Sequence, residues 1–68
     1  MSEYEKHEWP EAVGKTGEQA RLIVLQSDAT IKVAILPEGA IVTMDHRTDR
    51  VRIFVNHASI VTRVPRRG

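Results

Sequence analysis

The chain contains no cysteine, which excludes a disulfide framework, a cysteine-ligated zinc site and a thiol nucleophile together. No stretch approaches the roughly 20 consecutive apolar residues that a membrane-spanning helix needs. The opening residues, Met1 to Glu8, are too polar to serve as a secretory signal, so a soluble chain with no membrane partner is expected. Aromatic residues make up only 4% of the chain. Trp9 and Phe54 read as structural, which leaves no platform for stacking nucleic-acid bases. No Ser-His-Asp set and no glycine-rich phosphate loop points to an enzyme. His7, His46 and His57 are scattered, without acidic or cysteine partners at ligand spacing, so neither a metal nor a cofactor is expected.

What is there is one small domain. A chain of 68 residues forms a single unit that buries only about 60% of its extended surface, so its stability is marginal and further staples are welcome. The content of 41% hydrophobic and 28% charged residues is that of an ordinary globular protein. The net charge of +1 hides an asymmetry: residues 1–28 carry six acids and three bases, residues 29–68 three acids and seven bases. Arg47, Arg50, Arg52, Arg63, Arg66 and Arg67 concentrate in that second half. They make a basic face for a binding partner the alternative to any other function, although without aromatic stacking no nucleic-acid partner is expected.

Residues 1–8 lack an apolar period and read as a flexible lead-in, with a single domain over residues 9–68. Trp9-Pro10 suggests an aromatic anchor followed by a turn. Thr16-Gly17-Glu18-Gln19 fits a capping box, and Ala20, Ile23, Val24 and Leu25 give a helical stripe that stops at Gln26-Ser27-Asp28. Gly17 is a poor residue for the first turn of that helix. Ile31 to Leu36 is β-branched and reads as a strand ended by Pro37. Arg50 to Val55 is a second strand, with Val51, Ile53 and Val55 on one face and Arg50, Arg52 and Phe54 on the other. Ile60 to Val64 is expected to pair at a sheet edge before Pro65. Ala20, Ile23, Val24, Ile31, Val33, Ile35, Val51, Ile53 and Val55 form the expected core.

Between the two main strands lie Glu38 to Asp49, a connection long enough to be functional. Its centre, Ala40-Ile41-Val42-Thr43-Met44, is apolar and β-prone, an odd composition for a loop that has only to stay hydrated. Something is meant to cover it.

These residues resemble the potato inhibitor I family of serine protease inhibitors. The resemblance runs without a gap from Trp9 to Gly68. It is carried by Trp9-Pro10-Glu11, Val13-Gly14-Lys15, Leu25-Gln26, Leu36-Pro37, Ile41-Val42-Thr43-Met44-Asp45, Arg47, Asp49-Arg50-Val51-Arg52, Phe54-Val55 and Val64-Pro65-Arg66. It implies an α+β fold, with one helix packed on a small mixed, mainly parallel sheet and an extended protease-binding loop between two strands. It also implies that Met44-Asp45 is the reactive bond, with Met44 as the primary specificity residue. Ala40, Ile41, Val42, Thr43, His46 and Arg47 fall within the protease-binding loop. Arg50 and Arg52 fall at two arginines that brace the loop from below, and the Gly68 carboxylate at a group that helps hold them. The implied partners are chymotrypsin-like and subtilisin-like serine proteases, met by a monomer. His46 and Gly17 depart from the family's pattern.

A loop that enters a protease cleft binds tightly only if it is already ordered, since each side chain immobilised on binding costs about 0.5–1.5 kcal/mol. Without disulfides the bracing has to be polar. Thr43 and Asp45 supply acceptors, while Arg50 and Arg52, two residues apart on a strand, supply forked donors on one face. Exposed ion pairs add little to folding stability, so the cluster's effect is expected in loop order. The unbranched apolar side chain of Met44 suits the S1 pockets of chymotrypsins and subtilisins and cannot pair with the buried aspartate of trypsin.

Overall fold

The computed structural model describes residues 6–68. A short 3-10 helix, Pro10–Ala12, leads to one α-helix, α1 (Gly17–Ser27), followed by β1 (Lys32–Pro37), β2 (Arg50–Val55) and β3 (Arg66–Arg67). The sheet order is β1-β2-β3. β1 and β2 are parallel, from Lys32 beside Arg50 to Pro37 beside Val55, and β3 is antiparallel to β2. The fold is thus one helix on a small mixed sheet, as the resemblance implies.

The capping box forms as the sequence indicates. Thr16 Oγ1 accepts from the Gln19 N–H at 3.1 Å and Gln19 Oε1 accepts from the Thr16 N–H at 3.0 Å, which satisfies two of the helix's orphan donors. Gly17 has a packing reason. A Cβ built there would lie 3.0 Å from Ile35 Cγ2 and 3.3 Å from Val55 Cγ1, so the missing side chain lets the start of α1 sit directly on β1 and β2. The core consists of Trp9, Ala12, Ala20, Val24, Ile31, Val51, Ile53 and Val61, flanked by Ile23, Val33 and Val55. Trp9 is its largest member; its indole N–H donates to Ser27 Oγ at 2.9 Å. That bond joins the anchor to the end of the helix and meets the polar need of a buried tryptophan.

Several expectations are corrected. β1 runs from Lys32 through Pro37, one residue later than read. Pro37 is tolerated because β1 is an edge strand, where a missing N–H costs no ladder bond. Ile35 is 36% exposed, not core, because the outer strand leaves part of that side chain to solvent. Ala12, Val61 and Trp9 take places in the core that the strand alternation did not reveal. Ile60 and Val61 make only isolated bridges, to Thr16 and Val55. The third strand lies beyond Pro65, in the two arginines of β3, too short to leave a periodic signal. Of the lead-in read over residues 1–8, residues 1–5 lie outside the described residues. Its last part is tied down: Glu8 bridges to Arg66, and the Arg67 N–H donates to the His7 carbonyl at 2.9 Å.

The parallel register has a consequence for the loop. Arg50 lies beside Lys32, at the far end of β1 from Pro37, so residues 38–49 must return along five strand intervals, or about 17 Å. A tight hairpin is impossible with that geometry. The connection carries no regular structure from Ala40 to Arg47.

Candidate functional site

The loop presents its apolar residues outward. Ile41 is fully exposed and Met44 is 92% exposed, while Ala40 and Val42 are half-buried. In a domain with so small a core, two large apolar side chains left in water on the loop give up the burial energy that holds the rest of the fold.

Two side chains of β2 reach up beneath the loop's crest. The even positions of β2 face away from the core, so Arg50 and Arg52 project to the same side. Their side chains are only 16% and 15% exposed. Arg52 donates from Nη1 to the Thr43 carbonyl at 3.1 Å and from Nη2 to Thr43 Oγ1 at 2.8 Å. Arg50 donates from Nη2 to the Asp45 carbonyl at 3.1 Å and from Nη1 to Asp45 Oδ2 at 3.3 Å. The Thr43 hydroxyl donates to Asp45 Oδ1, and Arg52 Nη2 stands 3.8 Å from the same oxygen. The main-chain carbonyls on either side of Met44 are therefore each held by an arginine. Among the described residues the Met44 carbonyl itself has no hydrogen-bond partner.

Electrostatics follow the geometry. The Thr43 hydroxyl and then Arg50 favour the ionised Asp45 carboxylate and hold its pKa down at about 2, because hydrogen bonds and nearby positive charge both stabilise the anion. Asp49 is lowered too, first by its hydrogen bonds from Arg47. Arg47 Nε and Nη2 grip the two Asp49 oxygens at 3.2 and 3.0 Å, and Lys32 Nζ lies 3.6 Å from Asp49 Oδ2. Arg47 thus stiffens the descending leg of the loop rather than its crest.

Gly68 joins the cluster from the other side. Its oxygen accepts from Arg50 Nε at 3.2 Å and its N–H donates to the Arg50 carbonyl at 3.0 Å. The His46 ring lies over Gly68, with Nδ1 3.6 Å from where a Cβ would stand. Arg50, Arg52, Gly68, Thr43 and Asp45 are therefore brought together, with Met44 held out above them. Ala40, Ile41 and Val42 stand apart on the ascending leg. The Thr43 hydroxyl as a bridge to Asp45, and the Arg47–Asp49 grip, were not read from the sequence; the i, i+2 spacing of each pair in a loop was the available signal.

The arginine-rich face is largely consumed within the molecule. Arg63 stacks on the Phe54 ring with Cζ 3.8 Å from its centroid, Arg66 pairs with Glu8 at 3.3 Å, and Arg67 pairs with Asp28 at 3.4 Å. With Arg50 and Arg52 engaged as above, Arg47, Arg63 and Arg66 are the arginines of this face that stay exposed. Among the described residues no helix is long and apolar enough to cross a membrane.

The helix, the mixed sheet and an outward loop held by arginines define a small domain built around one ordered, exposed segment. The whole chain, residues 1–68, matches the model of the Potato inhibitor I family. A curated relative from Cucurbita maxima, "Inhibitor of trypsin and hageman factor", is 43% identical over 63 residues, covering 93% of each chain. The "Chymotrypsin inhibitor" of Lumbricus terrestris is 46% identical over 65 residues, covering 93% of this chain and 73% of its own. Among solved structures, the bitter gourd trypsin inhibitor superposes with a TM-score of 0.90 at 35% identity, covering 96% of both chains. The chain belongs to the potato inhibitor I family.

Proposed function

We propose that this protein inhibits serine proteases by offering residues 40–47 as a substrate-like strand, with Met44-Asp45 as the reactive bond and residues 9–68 as the inhibitory domain. The observation that carries the reading is the pattern of held carbonyls: those of Thr43 and Asp45 are fixed by Arg52 and Arg50, and among the described residues the Met44 carbonyl between them has no partner. A free carbonyl beside an exposed apolar side chain suits a protease whose S1 pocket takes Met44 and whose oxyanion hole takes the Met44 oxygen.

The same braces account for inhibition rather than digestion. When the protease serine attacks, the new amino terminus at Asp45 stays tethered through its own carbonyl and carboxylate to Arg50. An amine held at the acyl group re-forms the peptide bond with the advantage of an intramolecular reaction, so resynthesis outruns hydrolysis. Relatives are named for trypsin and for chymotrypsin; selectivity is therefore assigned to residue 44 rather than to the fold, and Met44 directs this chain to chymotrypsin-like and subtilisin-like enzymes.

Titration of chymotrypsin, subtilisin and trypsin with the protein tests the proposal. One-to-one loss of chymotrypsin or subtilisin activity with little effect on trypsin is expected. Retained activity of all three enzymes, with rapid digestion of the loop, would overturn it.

A further inference from the structure

Arg67 lies outside the loop and outside the strand that carries the loop's two braces, yet its guanidinium connects four distant parts of the chain. Its side chain is only 8% exposed. Nε donates to the Lys6 carbonyl at 2.6 Å, Nη1 to the Thr48 carbonyl at 2.8 Å, and Nη2 to Asp28 Oδ2 at 3.4 Å. Its Cζ lies 5.6 Å from the centroid of the Trp9 ring. A charge so nearly buried is tolerated only with its donors met, and acceptors lying in three directions suit a planar fork rather than a lysine ammonium.

One of these contacts leads to the site, and the chain itself supplies a second link. Thr48 is on the descending leg of the loop, three residues past Asp45, so Arg67 holds that leg directly. Gly68 follows Arg67 in the chain, and its oxygen takes Arg50 Nε. With Nε fixed, the plane of the Arg50 guanidinium is fixed, and the two terminal nitrogens are aimed at Asp45. We propose that Arg67 is a positioning residue for the reactive loop: its guanidinium holds the Thr48 carbonyl, and with it the descending leg, so that Asp45 stays within reach of Arg50. This rests on the reading of Met44-Asp45 as the reactive bond. The backbone of Arg67 is secured independently, by pairing with Val51 and by its N–H bond to His7, so removing the guanidinium leaves β3 its ladder.

The test uses the full chain as wild type, Arg67→Gln, Arg67→Lys, Arg50→Gln and the Arg67→Gln/Arg50→Gln double variant. Each is incubated with chymotrypsin or subtilisin, and cleavage at Met44-Asp45 is followed by mass spectrometry alongside the melting temperature. Losing the hydrogen bonds of a charged group from the support should speed cleavage about tenfold in Arg67→Gln, with Arg67→Lys intermediate. In the Arg50→Gln background the same change should add less than about twofold, since residues acting through one contact are not additive. A lowered melting temperature with unchanged cleavage in Arg67→Gln would make Arg67 structural only and overturn the proposal, as would a full additional effect in the Arg50→Gln background. Should Arg67→Gln not fold, Arg67→Lys carries the same comparison, and cleavage no faster than wild type would overturn it. A wild-type chain that fails to inhibit either enzyme would sink the reactive-bond reading itself, whereas an inhibitory wild type with unresponsive variants would sink the Arg67 proposal alone.

Discussion

Among the described residues the core of this domain, from Trp9 to Val61, is built of apolar residues alone. The loop from Glu38 to Asp49 is the opposite: none of its side chains is buried, and its order comes from hydrogen bonds to Arg47, Arg50, Arg52 and Arg67. The difference teaches that one small molecule contains two separable kinds of rigidity. Apolar burial sets whether the chain folds, because it is the dominant favourable term in a marginal balance. Directional polar contacts set whether an exposed segment holds one shape, a matter of lost flexibility rather than of global stability. Each region can therefore be damaged with little consequence for the other.

The largest effect on folding should come from the core. Ile53→Ala is expected to lower unfolding free energy by about 2–5 kcal/mol, measured by urea denaturation, while the folded fraction that remains inhibits as before. Inhibition lost in excess of unfolding would show that core and loop are coupled.

A comparable effect on binding, with none on folding, is expected at the crest. Met44→Lys should weaken inhibition of chymotrypsin by about a hundredfold and create inhibition of trypsin, whose S1 pocket carries an aspartate. The 92% exposure of Met44 implies an unchanged melting temperature. Unaltered selectivity would move the primary specificity residue elsewhere.

The smallest and most local effect is the titration of Asp45. Its folded pKa is depressed from the ordinary 3.8 to about 2, so its contribution to stability is complete above the unfolded value and is lost as pH falls through the folded one. The loop's bracing should consequently persist to about pH 3 and fail toward pH 2. A carboxyl-carbon NMR titration should place the Asp45 midpoint near 2. Because the Thr43 hydroxyl and then Arg50 cause the depression, Thr43→Ala and Arg50→Ala should each raise the midpoint. A wild-type midpoint near 3.9 would mean that the braces do not hold the carboxylate in solution.

The sequence showed the elements whose signals are local. Thr16 and Gln19 announced the start of α1, and the alternation from Arg50 to Val55 gave β2 its bounds and both its faces. β3 was hidden because two arginines make no period, and its partners on β2 lie fifteen or so residues back in the chain. Ile35 was misjudged because β-branched composition marks a strand without saying that it lies at an edge. The loop stood out by its apolar centre, but the parallel pairing and the place of Met44 within the loop were implied by the family resemblance, not by spacing. Arg67 could not be read at all. Its acceptors at Lys6, Asp28 and Thr48 are separated from it by 61, 39 and 19 residues, and no periodicity joins positions so far apart.

The separation of folding from loop order is tested most directly by comparing wild type with Arg50→Ala, through melting temperature and through mass spectrometry of the chain recovered from its protease complex. The expected result is a melting temperature within about 5 °C of wild type together with rapid cut at Met44-Asp45 in the variant and slow cut in the wild type. A variant that stays as intact as the wild type, or one that is cut only because it has unfolded, would contradict the claim that polar bracing of the loop is what distinguishes this inhibitor from a substrate.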